Sequence, residues 1–205
     1  MSLSLAPLTT SLQPPYLGAY PSQYARGGRF PAAFVWGVGT ASYQIEGAYN
    51  QGGRGRSIWD SFSGAGGGVA NRGHEVVGDT GDVACDHYHL YPQDVKLMAD
   101  LGIKNYRFSL AWPRLLPNGT IEGGVNAQGV EFYNGLIDTL LAHGIEPFVT
   151  LYHWDLPEAL QTGEVRGWLD RRIVPLFEAY ARLCFELFGD RVRYWTTFNE
   201  PWTFL

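Results

Sequence analysis

Between Phe34 and Phe198, short apolar runs alternate with longer segments of helical spacing. Phe34–Val38, Lys104–Ser109, Ile145–Leu151 and Arg193–Phe198 read as strands. His87–Leu101 reads as a helix, with Tyr88, Tyr91, Val95 and Met98 on one face and Gly102 at its C-terminal cap. Ala127–Ala142 repeats that pattern through Val130, Tyr133, Ile137 and Leu140, closed by Gly144. Ile173–Phe188 forms a third helix, closed by Gly189. Strands that alternate with helices pair in parallel, because each helix returns the chain to the same end of the sheet. The fold class is therefore α/β, with two candidate architectures: a doubly wound sheet or a (β/α)8 barrel.

The turn after the first strand separates them. A doubly wound nucleotide binder needs a glycine-rich turn that leads straight into a helix. Gly37-Val38-Gly39-Thr40-Ala41-Ser42 matches only in part, and some forty residues of loop follow it. The glycine run at 64–68 lacks the Lys-Ser/Thr of a phosphate loop. The barrel is the better reading. A barrel needs eight strands and roughly 250 residues, whereas 205 residues here supply four. The expectation is a (β/α)8 TIM barrel with only its first four β/α units present. Residues 1–26 are Ser-, Pro- and Leu-rich and lack a carboxylate, so they read as a disordered extension, with 27–205 as the half-barrel. Residues 50–82 read as one long irregular loop.

Composition narrows the partners. A net charge of −5 opposes a nucleic-acid partner, which needs a basic stripe. No run approaches the ~20 apolar residues of a membrane span. Cys85 and Cys184 are too few for a disulfide scaffold and lack metal-ligand spacing; both read as buried thiols. Neither localisation nor oligomeric state is legible. Seven Trp and twelve Tyr suit a packed core, but also suit walls against which sugar rings stack.

In a parallel barrel, reacting groups gather at the C-terminal ends of the strands. Here those ends hold Ser42, Tyr43, Gln44 and Glu46; Arg107, Ser109 and Trp112; His153, Trp154 and Asp155; and Asn199, Glu200 and Trp202. Polar groups sit beside aromatics at all four ends, as a sugar site requires. Each also has a plainer reading. Gln44 could bond loop backbone, His153 could be a structural histidine, and Glu200 a solvated carboxylate. Arg107, in the middle of a strand, is expected to be a buried charge with a carboxylate partner. An apolar setting for Glu200 would lift its proton affinity toward that of a proton donor.

These segments also carry a family resemblance. Phe34-Val35-Trp36-Gly37 through Thr40-Ala41-Ser42-Tyr43-Gln44-Ile45-Glu46-Gly47 resembles the N-terminal signature of glycoside hydrolase family 1, the β-glucosidase family. Ser57-Ile58-Trp59-Asp60, Ala84-Cys85-Asp86-His87-Tyr88-His89, Tyr106-Arg107-Phe108-Ser109 with Trp112-Pro113-Arg114, Tyr152-His153-Trp154-Asp155-Leu156-Pro157 and Thr197-Phe198-Asn199-Glu200-Pro201 continue it in family order. The resemblance implies a retaining β-glucosidase acting on a small-molecule β-glucoside, with no metal or organic cofactor. Glu200 would be the catalytic acid/base, and Gln44, His153 and Asn199 would bind the glucosyl unit. Arg107 would support the nucleophile. The family's nucleophile lies in a Thr-Glu-Asn-Gly-like segment, and this sequence has none. Retaining chemistry needs two carboxyl groups, so the chain reads as an N-terminal fragment, inactive and poorly soluble alone. The alternatives are a non-catalytic half-barrel that binds sugar weakly or pairs with another chain, and another retaining barrel glycosidase such as an endoglucanase.

Overall fold

The computed structural model describes residues 30–64 and 79–204. The expected extension at 1–26 and most of the glycine run lie outside that range. Phe30–Val35 belongs to the first of two compact units, and a turn there closes with the Phe34 N–H on the Pro31 carbonyl at 2.8 Å. The second unit starts at Trp36.

Four parallel strands form one sheet: β1 (Val38–Gly39), β2 (Asn105–Ser109), β3 (Glu146–Tyr152) and β4 (Tyr194–Phe198). Their spatial order is their chain order, with Val38 opposite Tyr106, Phe108 opposite Val149, and Phe148 opposite Tyr194. A doubly wound sheet reverses its strand order at a switch point, and this one does not. The sheet is the partial barrel that the sequence predicts. The first strand is shorter than the apolar run at 34–38 suggested, and is displaced toward its C-terminal end.

The helices between the strands carry the core. α3 (His87–Asp100) precedes β2, α5 (Ala127–Ala142) precedes β3, and α7 (Ile173–Phe188) precedes β4. Tyr106 and Phe108 of β2, and Val149 and Leu151 of β3, are buried with Leu136, Ile137 and Leu140 of α5 and Tyr180, Cys184 and Phe188 of α7. The opposite face of β2 and β3 holds Arg107, Phe148 and Thr150, and Arg107 Nε donates to Thr150 Oγ1 at 2.9 Å. Phe148 stacks flat on Tyr194 at 4.3 Å.

Gly102 and Gly144 adopt left-handed φ values of 78° and 69°, and the next residue in each case bonds back into the last helical turn (Ile103 to Met98, Ile145 to Leu140, each 3.0 Å). Gly189 differs from that expectation. It stays right-handed at φ −68°, because its own N–H and that of Val192 already satisfy Phe185 and Phe188 carbonyls.

The segment at 50–82 is not wholly irregular. α2 (Ile58–Ser63) stands inside it, started by a capping box: the Ser57 N–H donates to Asp60 Oδ2 at 2.6 Å and the Asp60 N–H to Ser57 Oγ at 3.3 Å. Three further one-turn helices, α1 (Ser42–Ile45), α4 (Trp112–Leu115) and α6 (Glu158–Thr162), follow β1, β2 and β3. Helices this short leave no periodicity to detect.

Gly129 on α5 packs against the backbone of α4, where a Cβ would lie 2.2 Å from the Arg114 carbonyl oxygen. Alanine normally stabilises a helix interior over glycine by about 1 kcal/mol. Gly129→Ala is expected to reverse that sign and destabilise by about 1–3 kcal/mol, since backbone rather than a mobile side chain must yield. Chemical denaturation of the two proteins measures it.

Candidate active site

The ends of three strands, β1, β3 and β4, converge on one hollow together with Trp59 of α2. It has a volume of about 290 Å³, with Tyr43, Trp59 and Trp154 as walls and Gln44, His153, Asn199 and Glu200 as polar groups. Gln44 arrives on α1, immediately after β1. His153 and Trp154 follow β3 directly, and Asn199 and Glu200 follow β4. Tyr43 and Trp59 stack at 5.9 Å, so their rings form one surface.

The backbone here is strained on purpose. Trp154 and Glu200 have φ values of 74° and 46°, in a region that side chains other than glycine's rarely occupy. Such residues cost about 1–3 kcal/mol each and persist only where their surroundings over-determine them. Trp154 Nε1 donates to the Asn199 carbonyl at 2.8 Å, and the Asn199 N–H donates to the Tyr152 carbonyl at 3.0 Å. The loop after β3 thereby grips the loop after β4, and both turn their side chains into the hollow.

Arg107 differs from expectation. Among the described residues no carboxylate pairs with it. Its partners are neutral: Thr150 Oγ1 and Asn199 Oδ1, each at 2.9 Å. It is half-buried rather than sealed, so water still solvates its charge and a counter-ion is not obligatory. The bond to Asn199 has a consequence. It occupies the amide oxygen and leaves Nδ2 as the donating end, which reaches Glu200 Oε2 at 3.4 Å.

His153 is driven toward its neutral form. Burial lowers its proton affinity, Arg107 lowers it further, and Glu200 acts in the opposite direction. A neutral imidazole offers one donor and one acceptor. His153 Nδ1 is buried and has no hydrogen-bond partner among the described residues. Glu200 is exposed, so the apolar setting foreseen for it is not built by the described residues.

Other groups at the strand ends belong elsewhere. Glu46 is buried in an ion pair with Arg114 at 2.8 Å. Trp112 lies in the core, flat on Tyr180 at 4.6 Å. Asp155 is fully buried and accepts from Ser42 Oγ at 2.5 Å. Cys184 is buried as expected, but Cys85 is exposed, because Ala84 and Asp86 on either side hold left-handed φ values in a surface turn. Trp59, a wall of the hollow, does not follow a strand and so escapes the strand-end pattern; it lies fifteen residues beyond Gln44, inside the apparent loop.

Comparison with known proteins gives the same direction. The family profile of Glycosyl hydrolase family 1 matches residues 26–205. Beta-glucosidase A of Thermotoga maritima is 56% identical over 174 residues, covering 85% of this chain and 37% of its own. Raucaffricine-O-beta-D-glucosidase of Rauvolfia serpentina is 54% identical over 177 residues, covering 85% of this chain and 31% of its own. Among solved structures, a rice β-glucosidase superposes with a TM-score of 0.78 at 52% identity, covering 85% of this chain and 34% of that one. The Thermotoga maritima β-glucosidase in complex with castanospermine superposes at 0.76 and 55% identity, covering 85% and 38%. This chain thus spans about a third of the length of the relatives it matches. With a sheet of four sequential parallel strands, the polar groups at their C-terminal ends and a profile match through residue 205, this chain belongs to glycosyl hydrolase family 1.

Proposed function

We propose that this chain supplies the glucose-binding and acid/base half of a retaining β-glucosidase site. The meeting of Gln44, His153, Asn199 and Glu200 in one aromatic-walled hollow is the observation that supports it most. Glu200 protonates the glycosidic oxygen as the aglycone leaves, then takes a proton from the water that attacks the glycosyl-enzyme. Asn199, its amide oriented by Arg107, donates from Nδ2 to the sugar 2-hydroxyl. Gln44 and neutral His153 hold further hydroxyls, while Tyr43, Trp59 and Trp154 cover the apolar faces of the ring.

The retaining step needs a nucleophilic carboxylate about 5–5.5 Å from the acid/base. Glu200 is the one carboxylate lining the hollow among the described residues. Glu46 and Asp155 are committed to buried partners. The nucleophile would therefore come from polypeptide outside these 205 residues, with Arg107 beside it. A rice β-glucosidase mutant has been captured in a covalent complex with Glc, as a retaining mechanism requires of a relative.

The test is a chimera in which this chain replaces the matched third of the Thermotoga enzyme. The chimera is expected to hydrolyse an aryl β-glucoside and release β-glucose first, seen by proton NMR before mutarotation. The 205-residue chain alone is expected to give no turnover. A folded chimera that binds sugar without hydrolysis would favour the second reading, a non-catalytic sugar-binding half-barrel; release of α-glucose first would exclude retention.

A further inference from the structure

Beneath the hollow, three strand ends are tied together by side chains that do not reach it. Asp155 is fully buried, two residues past His153 and next to Trp154. Its Oδ2 accepts from Ser42 Oγ at 2.5 Å. Ser42 opens α1, the single turn that holds Gln44. The Ser42 N–H donates to Ser109 Oγ at 2.8 Å, and Ser109 Oγ donates to Ser42 Oγ at 3.2 Å. Ser109 ends β2. The ends of β1, β2 and β3 thus meet at one hydroxyl. α1 has only four residues and no side-chain bond from its N-cap, and its first residue is held by Asp155 and Ser109.

We propose that Ser42 and Asp155 are a positioning pair, whose hydrogen bond sets the separation of Gln44 on one side of the hollow from His153 and Trp154 on the other. This deepens the sugar-binding reading above and rests on it for its functional meaning. The pair also makes that separation respond to protons. Burial pushes the Asp155 carboxyl up to about 7; the Ser42 hydrogen bond and Arg54 hold it down, and Glu46 pushes it up again. Arg54 is itself paired with buried Asp60 at 2.6 Å, so it neutralises Asp155 only in part. Tyr152 on β3 and Tyr180 on α7 complete the titratable groups around it, and both stay protonated. Protonated Asp155 becomes a donor as well as an acceptor, and its Oδ1, buried without a partner among the described residues, is then no longer an unpaired charge.

The experiment uses the chimera, in which the remaining strands cover this sheet, and NMR, without turnover. The Asp155 carboxyl carbon, the His153 ring nitrogens and the Trp154 indole are followed from pH 5 to 9, assigned by their loss in single variants. In the wild type, the His153 and Trp154 signals are expected to move with the Asp155 midpoint. Asp155→Asn keeps an acceptor for Ser42 and removes the titration, so those signals should stay near one end of the wild-type range and lose that step. Ser42→Ala removes the bond and should shift His153 and Trp154 at every pH while the core signals hold. If the two signals ignore the Asp155 midpoint, or stay put in a folded Ser42→Ala, the pair does not position them. Because no step needs hydrolysis, absence of activity in the chimera would overturn the glucosidase reading and leave this coupling standing.

Discussion

Glu200→Gln in the hydrolytically active chimera is expected to lower turnover of an alkyl β-glucoside by about 10²–10⁴-fold, the usual share of general acid–base catalysis. Gln keeps the size of Glu and can still accept from Asn199 Nδ2, now 3.4 Å from the carboxylate. It cannot supply a proton to the leaving alkoxide or take one from water. Glu200 is exposed and bonds no buried donor, so the melting temperature should barely change. Three further readouts identify the role. An aryl glucoside with an acidic leaving group should lose much less in the first step, since departure of that group needs little protonation. The basic limb of the pH profile should disappear. With that aryl glucoside, azide, which attacks the glycosyl-enzyme without needing a base, should restore turnover and give the β-glucosyl azide. Equal losses for alkyl and activated aryl substrates, with no azide effect, would mean that another group transfers the proton.

The long-range frame of the molecule is readable in the chain because its periods are long enough to register. α3, α5 and α7 each run for fourteen residues or more, so their apolar faces repeat several times, and each is followed by a strand rich in aromatic or β-branched residues. Pro92 lies inside α3 without ending it, so one breaker did not outweigh the pattern. The one-turn helices left no such trace, although Ser57 and Asp60 carry the signature of a cap. The site divides in the same way. Gln44, His153, Asn199 and Glu200 stand out as polar residues at strand ends, and they do share a hollow. Side-chain pairing across the fold is a different matter. Nothing local in the sequence distinguishes Glu46, which is buried on Arg114, from Glu200, which is exposed, since both follow a strand by a few residues. Nor does spacing reveal that Arg107 takes an amide instead of a carboxylate, because Asn199 is ninety-two residues away.

Glu46→Gln is expected to cost about 3–5 kcal/mol of folding stability, the range for leaving a buried charge without its counter-ion. Glu46 Oε2 accepts from Arg114 Nε at 2.8 Å and Oε1 accepts from the Tyr133 hydroxyl at 2.6 Å. The Tyr133 hydroxyl in turn accepts from the Ala111 N–H at 2.7 Å. Burial and the Glu46 charge both raise the Tyr133 phenol, so it stays a donor. For Arg114, burial works against the charge, but Glu46 outweighs it and holds the guanidinium above its ordinary value. Gln can replace the acceptor at one oxygen and must place an NH2 at the other, against either the guanidinium or the phenol. With the NH2 toward the guanidinium, Arg114 would keep only the Gly47 carbonyl at 3.2 Å and the ring faces of Tyr88 and Phe132 at 4.4 and 5.5 Å. Replacing both partners tests whether the loss is a stranded charge or lost packing. Glu46→Gln with Arg114→Met should cost less than the sum of the single changes, since an apolar side chain of similar length removes the charge that Glu46 served. Additive costs in urea titrations would mean the pair contributes as two separate packing residues. The same titration bears on the site, because Glu46 ends the turn that begins at Ser42 and presents Gln44 to the hollow. The ion pair holds one end of that turn and the Ser42–Asp155 bond the other. Gln44, on a four-residue helix beside the hollow, thus stands between two buried carboxylates, neither of which lines it.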